Sequence, residues 1–287
     1  MNEKLKDLVD IIYHNKIELK FNILEIGALQ VEKSKEPFYE LLRYFPFSKI
    51  IGFEVDKAVC DKMNLTAKSG IKYYPYALGR NNEKKNFYIT NHPMCCSLYK
   101  PNDSFNSLYN NLEVAYLKHE MEVETISLDF FVEENQIGEI DLLKIDVQGA
   151  ELDIFKGGVK ALKDVLQIVC EVEFVHHYEN QPLFGDVSNF LSQYDFMFNK
   201  FLSIAGRSLR PILLEKNPNT MSQQLWADAV FIHHVQKIKN LNNEKLLKLS
   251  LIACVYGSVD LTFFCLSHYD QRNSSSFSND WMNKISK

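Results

Sequence analysis

The stretch Ile140–Gly158, IDLLKIDVQGAELDIFKGG, constrains the fold of this chain more than any other segment. Ile140–Val147 is apolar enough to be buried on both faces, as a central strand of a parallel sheet is. Alternation along that strand sends Lys144 and Asp146 to one face. Charges in so apolar a strand are tolerated when they are paired or lie near its open end, so Asp146 is expected at the carboxyl tip. Gly149 permits a tight turn into a helix over Ala150–Leu162. Glu151 falls in the first turn of that helix, where the dipole favours an anion. Two roles stay open for Glu151: contact with a ligand, or a cap ion-paired with Lys144.

The rest of the chain repeats the strand–helix alternation. Met1–Leu19 carries a helical apolar stripe. Asn22–Gly27, Lys49–Asp56, Ile71–Leu78, Val165–Phe174, Phe196–Ile204 and Ala227–His234 read as strands. Pro37–Tyr44, Lys57–Ser69, Val187–Tyr194 and a helix from Ser127 through Glu134 separate them. Asn86–Thr90 and Glu122–Ile126 read as short extra strands, and Asn91–Asn111 as a long loop of the kind that often binds or covers a ligand. Such alternation predicts an α/β fold with a mostly parallel, Rossmann-like sheet and helices on both faces. With 287 residues, 46% of them hydrophobic, the chain can bury a full core. We expect a catalytic domain over residues 1–235 and a C-terminal part over 236–287. In that part Glu244–Leu266 is one or two apolar helices, and Asn273–Lys287 a polar, mobile tail.

Bulk properties narrow the function. A formal net charge of −5 with no basic run disfavours nucleic acid as the main ligand. The charged start, MNEKLKDLVDII, does not read as a signal peptide. The most apolar stretch, Leu249–Leu266, is interrupted by Ser250, Gly257 and Asp260, so no membrane insertion is expected and a cytoplasmic location is. The six cysteines show no CxxC pair and no zinc spacing.

In an open α/β sheet ligands bind beyond the carboxyl ends of the strands. The first strand ends in Glu25-Ile26-Gly27-Ala28 and the second in Glu54-Val55-Asp56. An acid at the second position typically binds the two hydroxyls of a ribose. After Gly27 the chain reads ALQVEK, without the glycines of a pyrophosphate-binding turn. A cofactor with a ribose but no phosphate therefore fits better than a dinucleotide. The fifth strand ends in Glu171-Val172-Glu173, with His176 and His177 at its rim, and a neutral histidine can accept a hydroxyl proton. No HxH or HxxxH spacing is present and no metal is expected. Asp228, ahead of the last apolar run, is read as a buried and satisfied carboxylate.

Taken together these segments resemble the FkbM family of methyltransferases. The matching stretches are GFEVD at Gly52–Asp56, ALGRNNEKKNFYIT at Ala77–Thr90 and SLY at Ser97–Tyr99. TISLDFF at Thr125–Phe131, Ile140–Gly158, the EVEF…QPLFGDV stretch of Glu171–Val187 and WADAVF at Trp226–Phe231 follow in the family's order. Lys245–Leu266 resembles a helical extension of some members. The resemblance implies a class I methyltransferase fold, S-adenosylmethionine as cofactor, and O-methylation, often of a sugar or glycan hydroxyl or of a natural product. It places Glu25, Gly27 and Ala28 in the first cofactor motif, Glu54 with its neighbour Val55 at the ribose, Ala77 and Leu78 against the adenine, and Asp146 at the end of the fourth strand. Glu25 stands where many members carry Asp, and the second glycine expected after Ala28 is missing.

The expected chemistry is attack of a substrate hydroxyl on the sulfonium methyl, with S-adenosylhomocysteine leaving. The protein aligns the two reactants. Asp146, Glu173 and His177, in that order, are the candidates for the base. The alternatives are a methyltransferase-like interaction protein without catalysis and an NAD-dependent oxidoreductase. The expected partner is a small-molecule or glycan acceptor, and the apolar C-terminal helices offer a surface for homo-oligomerisation.

Overall fold

Apolar runs and amphipathic stretches alternate along the chain. A computed structural model, which describes residues 2–28, 36–219 and 222–286, orders them in sequence. They are α1 (Glu3–His14), β1 (Asn22–Ile26), α2 (Tyr39–Tyr44), β2 (Lys49–Phe53), α3 (Lys57–Thr66), β3 (Ile71–Tyr74), β4 (Ala77–Gly79), β5 (Glu83–Thr90), α4 (Asp103–Asn106), β6 (Leu117–Ser127) and α5 (Leu128–Glu134). There follow β7 (Leu142–Ile145), α6 (Glu151–Lys156), β8 (Gln167–Glu173), α7 (Phe184–Ser192), β9 (Phe196–Ala205), β10 (Trp226–His233), α8 (Val235–Ile238), α9 (Asn243–Val255), α10 (Val259–Asn273) and α11 (Phe277–Ile285).

Seven strands form one sheet in the order β3-β2-β1-β7-β8-β10-β9. β1 pairs in parallel with β2 and β7, as do β2 with β3 and β7 with β8. β10 runs antiparallel between β8 and β9. This is the mostly parallel, Rossmann-like α/β sheet expected from the sequence. The strand order reverses between β1 and β7, so the crevice for a ligand opens beyond their carboxyl ends.

Successive strand residues alternate between two cores. Ile23, Leu142, Val169 and Val230 face one, built with α1, α9, α10 and α11. Leu24, Leu143, Ile168 and Ala229 face the other, built with α5, α6 and α7. The C-terminal helices thus complete the helical layer on one face of the sheet.

Several segments differ from their sequence expectation. Ile71–Leu78 is two strands, not one. The chain leaves the main sheet after Tyr74, at Pro75, which has no N–H for a ladder. β4 joins a second sheet, β4-β6-β5. The helix expected to reach Leu162 stops at Lys156. A Cβ on Gly157 would fall 2.4 Å from the Gly79 oxygen, and one on Gly158 2.7 Å from Leu128 Cδ2, so the double glycine lets the helix end dock against β4 and α5. Asn91–Asn111 contains two short helical turns.

The C-terminal segment read as a polar, mobile tail is a helix, α11. Its serines and asparagines mask an amphipathic pattern. Asp270 accepts from the Phe277 and Ser278 N–H groups, each at 2.8 Å, and so caps the helix start. Trp281, fully buried, donates to the Lys4 carbonyl at 2.9 Å and ties α11 to α1. Trp281→Ala is expected to cost about 3–5 kcal/mol, read as a lower midpoint in urea unfolding. An unchanged midpoint would show that α11 adds nothing to the fold.

Candidate active site

The crevice begins where β1 and β7 end side by side. Gly27 has φ +81°, and a Cβ there would lie 1.8 Å from the Asp146 carbonyl oxygen, so no other residue fits this crossing. Asp146 N–H donates to the Ile26 carbonyl at 2.9 Å and Ala28 N–H to the Phe53 carbonyl at 3.1 Å, which extends the pairing past the strand ends. Ala28 is buried against Cys60 and Tyr73. Beyond it, residues 29–35, which carry the unusual turn sequence noted above, lie outside the described residues.

Lys144 is the electrostatic centre. Its ammonium is buried in β7, 3.6 Å from Asp146 and 3.4 Å from Asp228. Burial alone would lower its pKa, but the carboxylates of Asp146, Asp228, Glu36 and Glu171 outweigh burial and hold it above the ordinary lysine value. In return Lys144, together with hydrogen bonds from Gln148 and Glu171, overcomes the burial of Asp146 and holds its carboxyl below the ordinary value. Asp228 also accepts from Ser203 Oγ at 2.7 Å, and its side chain keeps 36% of its surface exposed, so it is satisfied but only partly buried. Glu151 does not pair with Lys144; it caps the turn, accepting from Val147 N–H at 2.9 Å.

Of the residues expected at the cofactor, Glu25 and Glu54 lie near the ends of β1 and β2, whereas Ala77 and Leu78 belong to the small sheet. Glu25 is buried, and burial raises its pKa to about 7 even though Tyr39 donates to it at 2.6 Å. The Tyr39 hydroxyl is in turn 3.3 Å from that of Tyr73. Glu54 is half-buried after β2 and accepts from Asp56 N–H at 2.9 Å; burial raises its pKa. Val55 is half-buried beside it. Asp56 is occupied as the N-cap of α3. Ala77 and Leu78 are buried in β4 of the small sheet, with Leu78 in the core that holds Phe131.

On the β8 side Gln148, at φ +58°, is a hub. It donates to Asp146 at 2.9 Å and to Glu171, accepts from the Tyr178 hydroxyl at 3.2 Å, and its carbonyl accepts from Ser97 at 2.7 Å. Among the described residues Glu151, Glu171 and Glu173 come close enough to hold a metal ion, with one oxygen from each within 4.8 Å of the others. Burial and mutual repulsion push all three carboxyls well up, Glu151 to about 7. In the hydrogen-bonded pair of Asp146 and Glu171 the Asp146 carboxyl is pushed down and the Glu171 carboxyl up.

The long loop is stitched to the end of β8. Asn102 N–H and Asn106 Nδ2 both donate to the His177 carbonyl, at 2.8 and 3.0 Å. The Tyr178 hydroxyl donates to the Cys95 carbonyl at 2.8 Å. Inside that corner His177 is buried, and burial beside Arg207 lowers its pKa to about 4. His176, by contrast, is exposed.

Sequence reasoning missed three residues. Gln148 was passed over as part of a turn; an amide between Asp146 and a glycine was the available signal. Tyr256, from the end of α9, is buried with an unpartnered hydroxyl in the field of Glu36, Lys144, Glu25 and Asp228. Arg207 stacks on Trp226 at 4.9 Å. No local pattern marks either, because both reach the site through the tertiary fold.

The chain is 31% identical over 128 residues to "Methyltransferase 1" of Beauveria bassiana (strain ARSEF 2860), a match that covers 40% of this chain and 51% of that protein. The chain therefore spans about half the length of this curated relative. Among solved structures, "The structure of LepI complex with SAM" aligns over 80% of this chain and 46% of that one, at 9% identity and a TM-score of 0.32. The family model "Methyltransferase FkbM domain" matches residues 25–198, the span from the Glu25 strand end into β9. The chain belongs to the FkbM methyltransferase family.

Proposed function

We propose that the protein is an O-methyltransferase that moves the methyl group of S-adenosylmethionine to a hydroxyl oxygen of a sugar or glycan. The observation that carries the reading is the donor set at the strand ends. Glu25, Glu54 and Asp146 offer carboxylates where β1, β2 and β7 end, and Lys144 behind them is spent on Asp146 and Asp228. Such an edge suits a cofactor that carries a ribose and positive charge and lacks phosphate. Glu54 is the acceptor for the ribose hydroxyls. Glu25 and Asp146 face the ammonium end, and Ala77 and Leu78 give an apolar wall for a base.

When bound, S-adenosylmethionine supplies an electrophilic methyl carbon and a sulfide leaving group. The chain's own groups divide the remaining work. Asp146, held ionised by Lys144, orients the cationic end or accepts a hydroxyl hydrogen. Glu173, its carboxyl pushed up by burial, donates a hydrogen bond in its protonated form. His177 is neutral and offers a lone pair to the acceptor hydroxyl.

Calorimetry with S-adenosylmethionine tests Asp146. Asp146→Asn is expected to weaken binding roughly 10–100-fold and to lower turnover at least as much. Unchanged affinity with unchanged turnover removes Asp146 from both roles.

A second prediction follows from Glu25, whose pKa burial raises to about 7. A bound cation favours the ionised form, so binding releases a proton. Below pH 7 affinity should rise by up to about tenfold per pH unit and then level off. Glu25→Gln should flatten this profile. Equal wild-type affinities at pH 5.5 and 7.5 would refute a Glu25 contact with the cation.

A further inference from the structure

Two polar atoms shielded from solvent lack partners beside the cofactor edge, and they flank one aromatic ring. Trp226 opens β10 opposite Glu173 of β8 and Ala205 of β9. Arg207, two residues past Ala205, lays its guanidinium over the Trp226 ring at 4.9 Å. Its Nη1 donates to the Gly206 carbonyl at 2.8 Å, while its Nε is cut off from solvent with no acceptor. Among the described residues no acidic side chain bears on this charge; its ionisable neighbours are the Cys95 thiol and His177.

The His177 ring lies edge-on to Trp226 at 5.7 Å and to Phe105 at 5.9 Å. Asn106 Nδ2 donates to the His177 carbonyl, so Asn106 Oδ1 faces His177 Nδ1, at 2.8 Å, and must accept. Nδ1 therefore carries the hydrogen. Nε2 is left as a bare lone pair, buried and without a donor. Buried unsatisfied polar atoms are rare because each costs free energy, and here a donor and an acceptor are left together. Tyr178 links this corner to the cofactor edge, bonding both Cys95 of the loop and Gln148, the partner of Asp146.

We propose that Arg207 and His177 form the acceptor subsite, and that the acceptor bears a carboxylate beside its hydroxyl, as a uronate does. The Nε edge of Arg207 is a planar fork that matches a carboxylate better than a point charge does. His177 Nε2 accepts the hydrogen of a neighbouring hydroxyl. Charge is then sorted across the crevice: the cationic cofactor faces Glu25 and Asp146, and the anionic acceptor faces Arg207. The acceptor's role in methyl transfer rests on the reading above; its binding does not.

The two tryptophans make the test direct, because Trp281 is fully buried among the C-terminal helices and Trp226 is the one a subsite ligand perturbs. The full chain is titrated with D-glucuronate, D-glucose and D-glucose 6-phosphate while intrinsic fluorescence is read. A saturable change is expected with glucuronate, none with glucose at the same concentrations, and binding at least about tenfold weaker with glucose 6-phosphate. Arg207→Lys, which keeps the charge, should weaken glucuronate at least about tenfold. Arg207→Ala should abolish the change, with thermal melting checking that both variants fold. His177→Phe should weaken glucuronate but not acetate, which has no hydroxyl. Equal responses to glucose and glucuronate, a preference for the phosphate, no response to any of the three, or wild-type titration by Arg207→Lys each overturns the subsite. Calorimetry with S-adenosylmethionine separates the two readings: cofactor binding without glucuronate binding defeats the subsite alone, and the reverse defeats the methyltransferase reading alone.

Discussion

A buried ammonium in the central strand holds the candidate site together. Lys144 lies in β7 between apolar neighbours, where an isolated charge is very costly. Asp146, two residues on, and Asp228, across the sheet on β10, both pair with it. Removing Lys144 would leave its carboxylate partners uncompensated, a loss of about 3–5 kcal/mol in comparable cases. The same arrangement keeps Asp146 ionised at the mouth of the crevice. Stability and site chemistry thus depend on one set of contacts, and β10 must run antiparallel beside β8 to bring Asp228 into range.

The face on which these charges lie explains the C-terminal helices. Alternation puts Glu25, Lys144, Glu171 and Asp228 on the sheet face that α1, α9, α10 and α11 cover. Without that layer Lys144 would open to water, and its hold on Asp146 would weaken as the local dielectric rose. The layer also delivers Tyr256 to the same charges. The helices at residues 243–285 are part of the environment of the site as well as part of the core.

On the opposite side of the crevice the long segment after β5 behaves as a fitted cover. Its asparagines hold the His177 backbone, and its Cys95 carbonyl takes the Tyr178 hydroxyl. Gln148 joins this cover to Asp146. The two sides of the crevice are thereby connected through side-chain amides and hydroxyls, which orient groups without adding charge to an edge already crowded with carboxyls.

Much of this was legible in the residues themselves. Hydrophobic period and glycine placement determine the strand–helix alternation, the strand that ends in Asp146, and the acids Glu25 and Glu54 at their strand ends, because these are local consequences of burial and backbone freedom. What the sequence left open depends on residues far apart in the chain. That Ile71–Leu78 divides between two sheets, that the polar C-terminal segment is a helix anchored by Trp281, and that Lys144 answers to Asp228 and not Glu151 are decided by packing partners that no local pattern encodes. The same holds for Arg207, Trp226 and His177. Arg207 is unremarkable in its own segment, and only the strand order β8-β10-β9 brings the His177 nitrogen, the Arg207 guanidinium and the Trp226 ring to one end of the sheet.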